Sequence, residues 1–343
     1  MSGLSQTARR YVLRLATILL TGGAAICSTT GNAATIADKR ENNVSSTRLI
    51  LLGTAAGPIA RKTRSQPASA IQIGSNIYLI DAGDGVARQI VSANMRLSQV
   101  RAIFLTHLHF DHTAGLAPLL GYIWLDPAVA KLDIYGPPGT VAFVEGAVRY
   151  LDVSQQLFAV QLPKMRSLVE LAAPREIDLS VSKTIFENDE VRVTAVENSH
   201  FVSVQTKDRL PTMGSYAFRF DTKDKSIVFT GDTGPSKAVE LLAEGADILV
   251  SEVIDVEAVM EMLRARYGAT DAELAAQLAH HLEEHLSPEE VGKLAAAAGV
   301  KTVVLTHIGT GVNEIVDSRR YIEGIRRYFK GHVVLGSDLQ TFP

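Results

Sequence analysis

Residues 106–112 read Thr-His-Leu-His-Phe-Asp-His and directly follow a short apolar run at residues 102–105. Within six residues this segment holds four possible metal ligands: His107, His109, Asp111 and His112. Alternate side chains of an extended segment point to the same side, so the first two histidines can face one ion, while the other two ligands follow where the chain must turn. A polar loop rich in histidine is the alternative, although that explanation suits single histidines better. The spacing therefore predicts two adjacent metal ions at the end of a buried strand.

Three further strand-like runs end close to a possible ligand. Residues 191–196 precede His200, residues 227–229 precede Asp232, and residues 303–305 precede His307. The ends of neighbouring strands in layered α/β proteins meet at one edge of a sheet, so these ligands can share one cleft. We predict a first ion held by His107, His109 and His200, a second held by Asp111, His112 and His307, and Asp232 between them. Such ligands suit zinc best, with manganese or iron as alternatives.

The order of these motifs resembles the metallo-β-lactamase superfamily: His-x-His-x-Asp-His, a later His, Gly-Asp-Thr and a final Thr-His. The resemblance covers about residues 48–343 and is closest to the ribonuclease Z and arylsulfatase-like branch. Its marks are Leu-Leu-Gly-Thr at 51–54, Ile-Tyr-Gly-Pro-Pro-Gly at 134–139 and His-Leu-Ser at 285–287. It implies an α/β fold, the αββα sandwich of two facing mixed sheets with helices outside and metals at one edge.

The same resemblance implies roles for residues around the ligands. Asp81, after the strand at residues 77–80, would not bind metal itself but would fix the orientation of the ligands. His285, supported by Glu252, would protonate the leaving group, and Asp111 would take a proton from the attacking water. Two ions would lower the pKa of that water toward about 7, so the predicted nucleophile is a metal-bound hydroxide. The alternative for His285 is an ordinary exposed histidine at the end of a Glu-rich helix.

Two departures from the branch bear on the substrate. Ribonuclease Z enzymes that process transfer RNA usually carry a long RNA-gripping arm between the ligands equivalent to His200 and Asp232, whereas this chain has only residues 201–231, which predict a turn and two strands. The branch also has His-Glu where this chain has Ser251-Glu252. Both departures argue against transfer RNA. We therefore expect an exported binuclear zinc hydrolase that acts on a small-molecule phosphodiester or sulfate ester.

Other functions stay open at the level of the sequence. The same hydroxide could open a β-lactam or a lactone, and this reaction would not need His285. The family resemblance by itself would suggest a transfer-RNA 3′-processing endonuclease. A metal-binding protein without catalysis would keep the ligands and turn over no ester or lactam.

Residues 1–34 predict a secretory signal peptide. Arg9, Arg10 and Arg14 precede an apolar stretch at residues 15–26, and small residues follow. The stretch is shorter than the roughly 20 residues of a membrane span, so we expect cleavage near Ala34 and no stable membrane anchor, with a single transmembrane anchor as the alternative. The protein would then be periplasmic or secreted. The paired arginines are similar to a twin-arginine signal.

The rest of the chain predicts one catalytic domain. Residues 35–46 are polar and predict a flexible leader, and residues 47–343 contain no linker or repeat that would divide the ligands between domains. Removal of the three arginines of the signal takes the formal net charge from −3 to −6. A mildly acidic exported protein is a poor nucleic-acid binder, so we expect no nucleic-acid partner. A homodimer stays open.

Residues 122–181 connect the ligand cluster to His200 and are a candidate for a substrate-facing lid, with Trp124 as the predicted wall of the substrate pocket. The alternative is that the helical run at 141–150 packs on a sheet as ordinary core. Helices are also predicted at residues 272–282 and 288–298. Ser287 is the expected N-cap of the second, Pro288 its first residue and Gly299 its end.

Overall fold

The structure is a computed structural model that describes residues 46–343 apart from residues 163–164, 180–181, 205–207, 209, 211 and 312–316. The predicted signal peptide, and the predicted leader except residue 46, lie outside the described residues. Within the described part of the chain, no helix is both long enough and apolar enough to cross a membrane.

One sheet is built mainly from the first half of the chain. Its strands are β1 (Thr47–Gly53), β2 (Ala68–Ile73), β3 (Asn76–Ile80), β4 (Val100–Phe104), β5 (Leu132–Gly136), β6 (Ala172–Glu176) and β14 (Thr341–Phe342). Their spatial order is β14-β1-β2-β3-β4-β5-β6. Pairing is antiparallel from β14 to β3 and parallel from β3 to β6, so the sheet is mixed.

The other sheet repeats this plan with later strands. It contains β7 (Lys183–Glu187), β8 (Val191–Glu197), β9 (Tyr216–Thr222), β10 (Ser226–Phe229), β11 (Ile248–Ile254), β12 (Thr302–Gly309) and β13 (His332–Leu335). Their order is β13-β12-β11-β10-β9-β8-β7. Pairing is antiparallel from β7 to β10 and parallel from β10 to β13.

The helices connect these strands. They are α1 (Val86–Ser92), α2 (Phe110–Thr113), α3 (Leu116–Trp124), α4 (Thr140–Tyr150), α5 (Asp152–Gln161), α6 (Leu168–Leu171), α7 (Lys237–Leu242), α8 (Val256–Tyr267), α9 (Asp271–Glu284), α10 (Pro288–Ala298) and α11 (Ser318–Arg326), with a 3₁₀ turn at Leu97–Gln99.

Alternation along the strands divides the apolar side chains among three cores. On β1, Leu49 and Leu51 join the core between the sheets, whereas Ile50 and Leu52 face a core shared with helices. This alternation follows from the two-residue period of a strand. The central core holds apolar residues of both sheets, and the two outer cores combine one sheet each with helices. The prediction of an αββα sandwich with two facing mixed sheets is confirmed.

Local signals predicted α10 well. The Oγ of Ser287 accepts a hydrogen bond from the backbone N–H of Glu290 at 3.3 Å, Pro288 opens the helix, and Gly299 ends it with a positive φ of 65°. Helix α9 begins one residue before the predicted run at 272–282 and ends two residues after it. Helix α8, which precedes it, was not among the predicted elements, and the two helices contact each other as a hairpin.

The structure does not bring Trp124 to a substrate pocket. Its side chain is only 2% exposed and belongs to an outer core, where the indole N–H donates to the carbonyl oxygen of Arg166 at 2.7 Å. Val144 and Val148 of α4 pack in the same core. The alternative, that this connection packs on the sheet, therefore describes the structure better than a substrate-facing lid does. Apolar helical residues most often face a core, and these do.

Candidate metal centre

Three predicted ligands converge at the end of β4. His107 follows the strand in extended chain, and His109 is the residue before α2. His200 arrives from the loop after β8. The Nδ1 atom of His109 lies 3.0 Å from Nε2 of His107 and 3.2 Å from Nε2 of His200. Three imidazole nitrogens therefore face one point, as the strand spacing predicts.

The second predicted group lies beside the first. The short helix α2 turns Asp111 and His112 inward, and β12 carries His307 to the same place. Oδ2 of Asp111 lies 3.5 Å from Nε2 of His112 and 3.4 Å from Nε2 of His307. Asp232 lies between the groups: its Oδ1 is 3.3 Å from Nε2 of His112, and its Oδ2 is 3.2 Å from Nε2 of His307 and 3.9 Å from Nε2 of His107.

The geometry of these atoms fits divalent metal ions. Ligand atoms within each of the groups lie within 4.8 Å of one another, and nearly all of the residues are buried. Nε2 of His112 and Oδ1 of Asp232 are buried 3.3 Å apart, and neither makes a well-aligned hydrogen bond among the described residues. A buried polar atom with no partner is costly, and a cation at this point would satisfy both atoms. Imidazole nitrogen and carboxylate oxygen are the donors that zinc and similar ions accept.

Hydrogen bonds behind the ligands hold the imidazoles in place. Oδ2 of Asp81 lies 2.9 Å from Nδ1 of His112, while Oδ1 of the same carboxylate accepts from the backbone N–H of Thr106 at 2.8 Å. Nδ1 of His200 lies 3.2 Å from the carbonyl oxygen of Glu284. A proton held on Nδ1 by these oxygens leaves Nε2 of both rings as the ligand atom. Asp81 thus lies where the resemblance implies, and Glu284 is a supporting residue that the sequence did not reveal.

Burial and charge divide the histidines into two sets. Burial lowers the pKa of His107 and His109, and lowers that of His200 to about 3. For His112 and His307 burial acts in the same direction, but the Asp232 carboxylate and its neighbours outweigh it, so that the pKa of His307 rises to about 9. Without ions, burial therefore favours the neutral form of the first set, and the nearby carboxylates favour the protonated form of the second.

These shifts predict that metal binding releases protons. The raised pKa values of His112 and His307 favour a bound proton on each ring in the ion-free protein, and a ring must lose that proton to become a ligand. Metal affinity should therefore rise with pH from 6 up to about 9, where the raised pKa of His307 is passed. Calorimetric titration with zinc in buffers of different ionisation enthalpy should report about one to two protons released per chain at pH 7. An unchanged enthalpy across the buffers would contradict this assignment.

A carboxylate-imidazole pair lies next to the ligands. Nδ1 of His285 is 2.7 Å from Oε2 of Glu252, whose Oε1 accepts from the backbone N–H of Thr233 at 2.5 Å. The His285 ring lies 5.0 Å from the ring of His200 and 6.1 Å from that of His307. Burial and the nearby Asp232 raise the pKa of Glu252 well above its ordinary value. Ser251 stands where the branch has His, and its hydroxyl donates to the carbonyl oxygen of Glu252.

A cleft of about 460 Å³ opens onto this cluster. Its polar floor includes His109, Asp111, His200, Asp232, His285 and His307. Its walls come from the loop after β1, from Phe110, and from helices α8 and α9, and none of the described residues between 122 and 181 lines it. The sequence did not predict these walls, although it places the aromatic Phe110 in the middle of the ligand motif.

Gly57 shows how closely the loop after β1 approaches the ligands. A Cβ atom on this residue would lie 2.1 Å from Cγ and Oδ2 of Asp111, far closer than atoms can pack. Gly57→Ala should therefore displace the Asp111 carboxylate and lower hydrolysis by about 10-fold or more, since misplaced catalytic groups cost rates of this order. Gly245→Ala is the control, because nothing lies within 4 Å of its Cβ position. Its φ of 65° affects stability, so activity should be measured on folded protein well below the melting temperature. Equal activity of the two variants would contradict the prediction.

Comparisons with known proteins agree with this geometry. A model described as a beta-lactamase superfamily domain matches residues 76–308. Ribonuclease Z of Mycolicibacterium paratuberculosis is 30% identical over 298 residues, covering 84% of this chain and 95% of that protein. Ribonuclease Z of Mycobacterium bovis is 29% identical over 302 residues, covering 85% of this chain and 96% of that protein.

Two solved structures share the fold. The short form of human tRNase Z is 21% identical with a TM-score of 0.61, and the match covers 86% of this chain and 98% of that chain. A metallo-beta-lactamase fold protein from Bacillus subtilis is 18% identical with a TM-score of 0.59 and the same coverage.

Two predictions from the sequence are wrong in view of these relatives. We expected a small-molecule phosphodiester or sulfate ester as substrate, with transfer-RNA processing less favoured, and no nucleic-acid partner. Proteins that match most of the chain are instead named ribonuclease Z. The physical reason for the error is that net charge describes a whole chain, whereas phosphate binding depends on local charge, and Arg61 lies in the wall of this cleft. The absence of a long arm within residues 201–231 also does not exclude RNA contacts made by other parts of the chain.

Proposed function

Because the chain belongs to the metallo-β-lactamase superfamily, in its ribonuclease Z branch, we propose that it cleaves RNA phosphodiesters, with precursors of transfer RNA as the substrate class. It is a metal-dependent hydrolase. One observation carries the choice of reaction: His285, which is paired with Glu252, lines the same cleft as the ligand cluster. A departing ribose oxygen is a poor leaving group and needs a proton, which this pair can supply.

The residues of the cleft have separate tasks in this reaction. Divalent ions, when bound, would supply positive charge that activates water and offsets the charge of the phosphate. Asp111, whose pKa the neighbouring His112 and His307 hold at about 2 against the effect of burial, stays ionised at neutral pH. His285 donates a proton from Nε2 to the leaving oxygen. Glu252 accepts a hydrogen bond from the Nδ1–H group of the same ring and keeps the ring oriented toward the cleft.

A cation in the cleft wall supports a polyanionic substrate. The guanidinium of Arg61 donates to the carbonyl oxygens of Gly311 and Thr310 at 3.2 and 3.3 Å, so its position is held by backbone. Arg61 lines the same cleft as Asp111 and His307. A fixed guanidinium near the ligand cluster can contact a phosphate that flanks the one being cut. The formal net charge of −3 does not exclude RNA, because this contact is local.

We propose two zinc ions per chain, with manganese or iron as alternatives. Elemental analysis of protein purified without added chelator should give about two equivalents of zinc. Removal by chelator should abolish hydrolysis and lower the thermal unfolding midpoint, because ions that bind only the folded chain stabilise it. Restored activity after zinc addition completes the test. One equivalent of metal with full activity would contradict the two-ion assignment.

Cleavage of RNA tests the substrate class directly. Zinc-loaded protein should cut a transfer-RNA precursor with a 3′ trailer faster than an unstructured RNA of the same length, and a DNA copy more slowly still. Bis-nitrophenyl phosphate serves as a simple diester that needs no recognition. Turnover of that diester together with no cleavage of any RNA would overturn the proposed substrate class and leave the hydrolase assignment intact.

We also propose that residues 1–34 direct export and that the active chain is the hydrolase domain at residues 47–343, following a short leader. Fractionation of cells that express the chain with a C-terminal tag should place it in the periplasm or medium, shortened by about 34 residues. A full-length chain in the cytoplasm would contradict export. Since precursors of transfer RNA are made in the cytoplasm, a chain found only outside it would meet other RNA, and cleavage of a precursor would then test the reaction and not the natural substrate.

A further inference from the structure

Phe110 is an exposed aromatic ring within the ligand motif. It lies between His109 and Asp111, yet 69% of its surface is exposed, while the other residues of α2 are buried. An exposed phenyl ring contributes little to the stability of the fold, because it stays in contact with water. The ring lines the cleft beside the ligand cluster. Its position therefore suits a contact with a bound molecule.

Helix α8 supplies an apolar surface to the same cleft. The side chains that line it recur at the three- and four-residue spacing of one helical face, and they are Val259, Met262, Leu263 and Tyr267. Tyr267 ends the helix with 62% of its surface exposed. Glu257 and Glu261 are not among the lining residues. The cleft thus combines a polar floor with an apolar side that carries a second aromatic ring.

Contacts at the end of α9 hold this wall in a defined position relative to the ligands. The Oγ of Ser203 donates to the carboxylate of Glu284, and the carbonyl oxygen of the same residue lies 3.2 Å from Nδ1 of His200. Gly234 lies so near that a Cβ on it would be 1.8 Å from the carbonyl oxygen of Glu283. Because α8 and α9 contact each other as a hairpin, these contacts preform the apolar side of the cleft.

The cleft therefore offers three kinds of contact: ligand atoms on the floor, the Arg61 guanidinium in the wall, and aromatic and aliphatic side chains on one side. A nucleotide matches this set, because it joins a charged phosphate to a planar base. We propose that the cleft binds the nucleobase next to the phosphate being cut, stacked on Phe110 and enclosed by Tyr267 and α8. The proposal rests on the proposed function. It predicts little preference among bases, because every base has a face that can stack.

Dinucleoside phosphates with and without a base test the stacking contact. On zinc-loaded full chain, Phe110→Ala should lower kcat/KM by about tenfold for dinucleotides with both bases, in line with the usual strength of base-aromatic stacking. The loss of kcat/KM caused by Phe110→Ala should be smaller when the nucleotide on one side of the diester is abasic. Phe110→Tyr, which keeps an aromatic ring, should retain most of the wild-type rate. Tyr150→Ala is the matched control, since this tyrosine is 73% exposed on α4 and outside the cleft.

Fluorescence gives a readout that is independent of turnover. 2-Aminopurine riboside 5′-monophosphate has no diester to cut, and its emission falls when the base stacks on an aromatic ring. Quenching by wild-type protein and by Tyr150→Ala, with weaker quenching by Phe110→Ala and Tyr267→Ala, is the expected result. Equal quenching by all four proteins, or an equal kinetic loss for base and abasic substrates, would overturn stacking.

The outcomes separate this proposal from the proposed function. Chelator-sensitive RNA cleavage by a Phe110→Ala variant as active as wild type would remove the stacking contact and keep the ribonuclease. Quenching that depends on Phe110, without cleavage of any RNA, would keep the nucleotide site and overturn the ribonuclease.

Discussion

Asp232→Ala is expected to lower kcat/KM for RNA by about three orders of magnitude or more, the scale on which preorganised charges at a reacting centre contribute. The carboxylate lies 3.3 Å from His112 and 3.2 Å from His307, and it also approaches His107. Its loss removes a ligand shared by both groups. It also removes a carboxylate that offsets the charge of His112 and His307. Metal content should therefore fall together with activity.

Asp232→Asn keeps the shape of the side chain and removes its charge, so it should also lose metal while disturbing packing less. Asp133→Ala is the control, because that carboxylate, on β5, pairs with Arg175 of β6 and does not line the cleft. Metal analysis, circular dichroism and RNA cleavage should be measured on the same preparations. A folded Asp232→Ala protein that retains both equivalents of metal and its activity would contradict the role of Asp232 as a ligand between the two groups.

His285→Ala should slow RNA cleavage by about 10²- to 10⁴-fold, the usual contribution of a general acid. The same change should slow bis-nitrophenyl phosphate much less, because nitrophenolate leaves without a proton. Metal content should stay unchanged if His285 is not a ligand. The comparison of two leaving groups thus separates proton donation from damage to the metal site, which would affect both substrates.

Glu252→Gln extends this test. The amide can still contact Nδ1 of His285 but carries no charge, so we expect an intermediate loss on RNA and again a small loss on the nitrophenyl diester. His332→Ala is a control for the loss of an imidazole, since His332 opens β13 on the surface. Equal losses on the two substrates in His285→Ala would remove the general-acid role and make His285 part of the metal site.

The metal centre could be predicted because its signals are local. Ligands follow buried strands, and a strand with apolar side chains on both faces, such as β4, is recognisable in one short window. The sandwich follows from the same strands, together with the resemblance to a known superfamily. Helix α10 was also predicted from local signals, since Ser287 and Pro288 mark its beginning and Gly299 marks its end. These features depend on neighbours in sequence and need no knowledge of packing.

The substrate pocket could not be predicted in this way. Trp124 and the residues of α8 are both apolar residues in helices, and their patterns do not say whether a helix faces a core or a cleft. Trp124 is buried in a core, whereas Tyr267 is exposed at the cleft. The cleft side of α8 is set by its contact with α9, whose end is held by Ser203 and Gly234, residues distant from Trp124 in the chain.

The amino-acid sequence by itself determined which residues can hold metal, the strands that carry them and the layered architecture. These features depend on ligand chemistry and strand periodicity, which can be recognised within short segments. The tertiary structure alone decided that Glu252 meets His285, that Arg61 lies in the cleft wall and that Phe110 and α8 line the same cleft. These contacts join residues far apart in the chain. Their distances depend on how sheets and helices pack, and no local pattern records that packing.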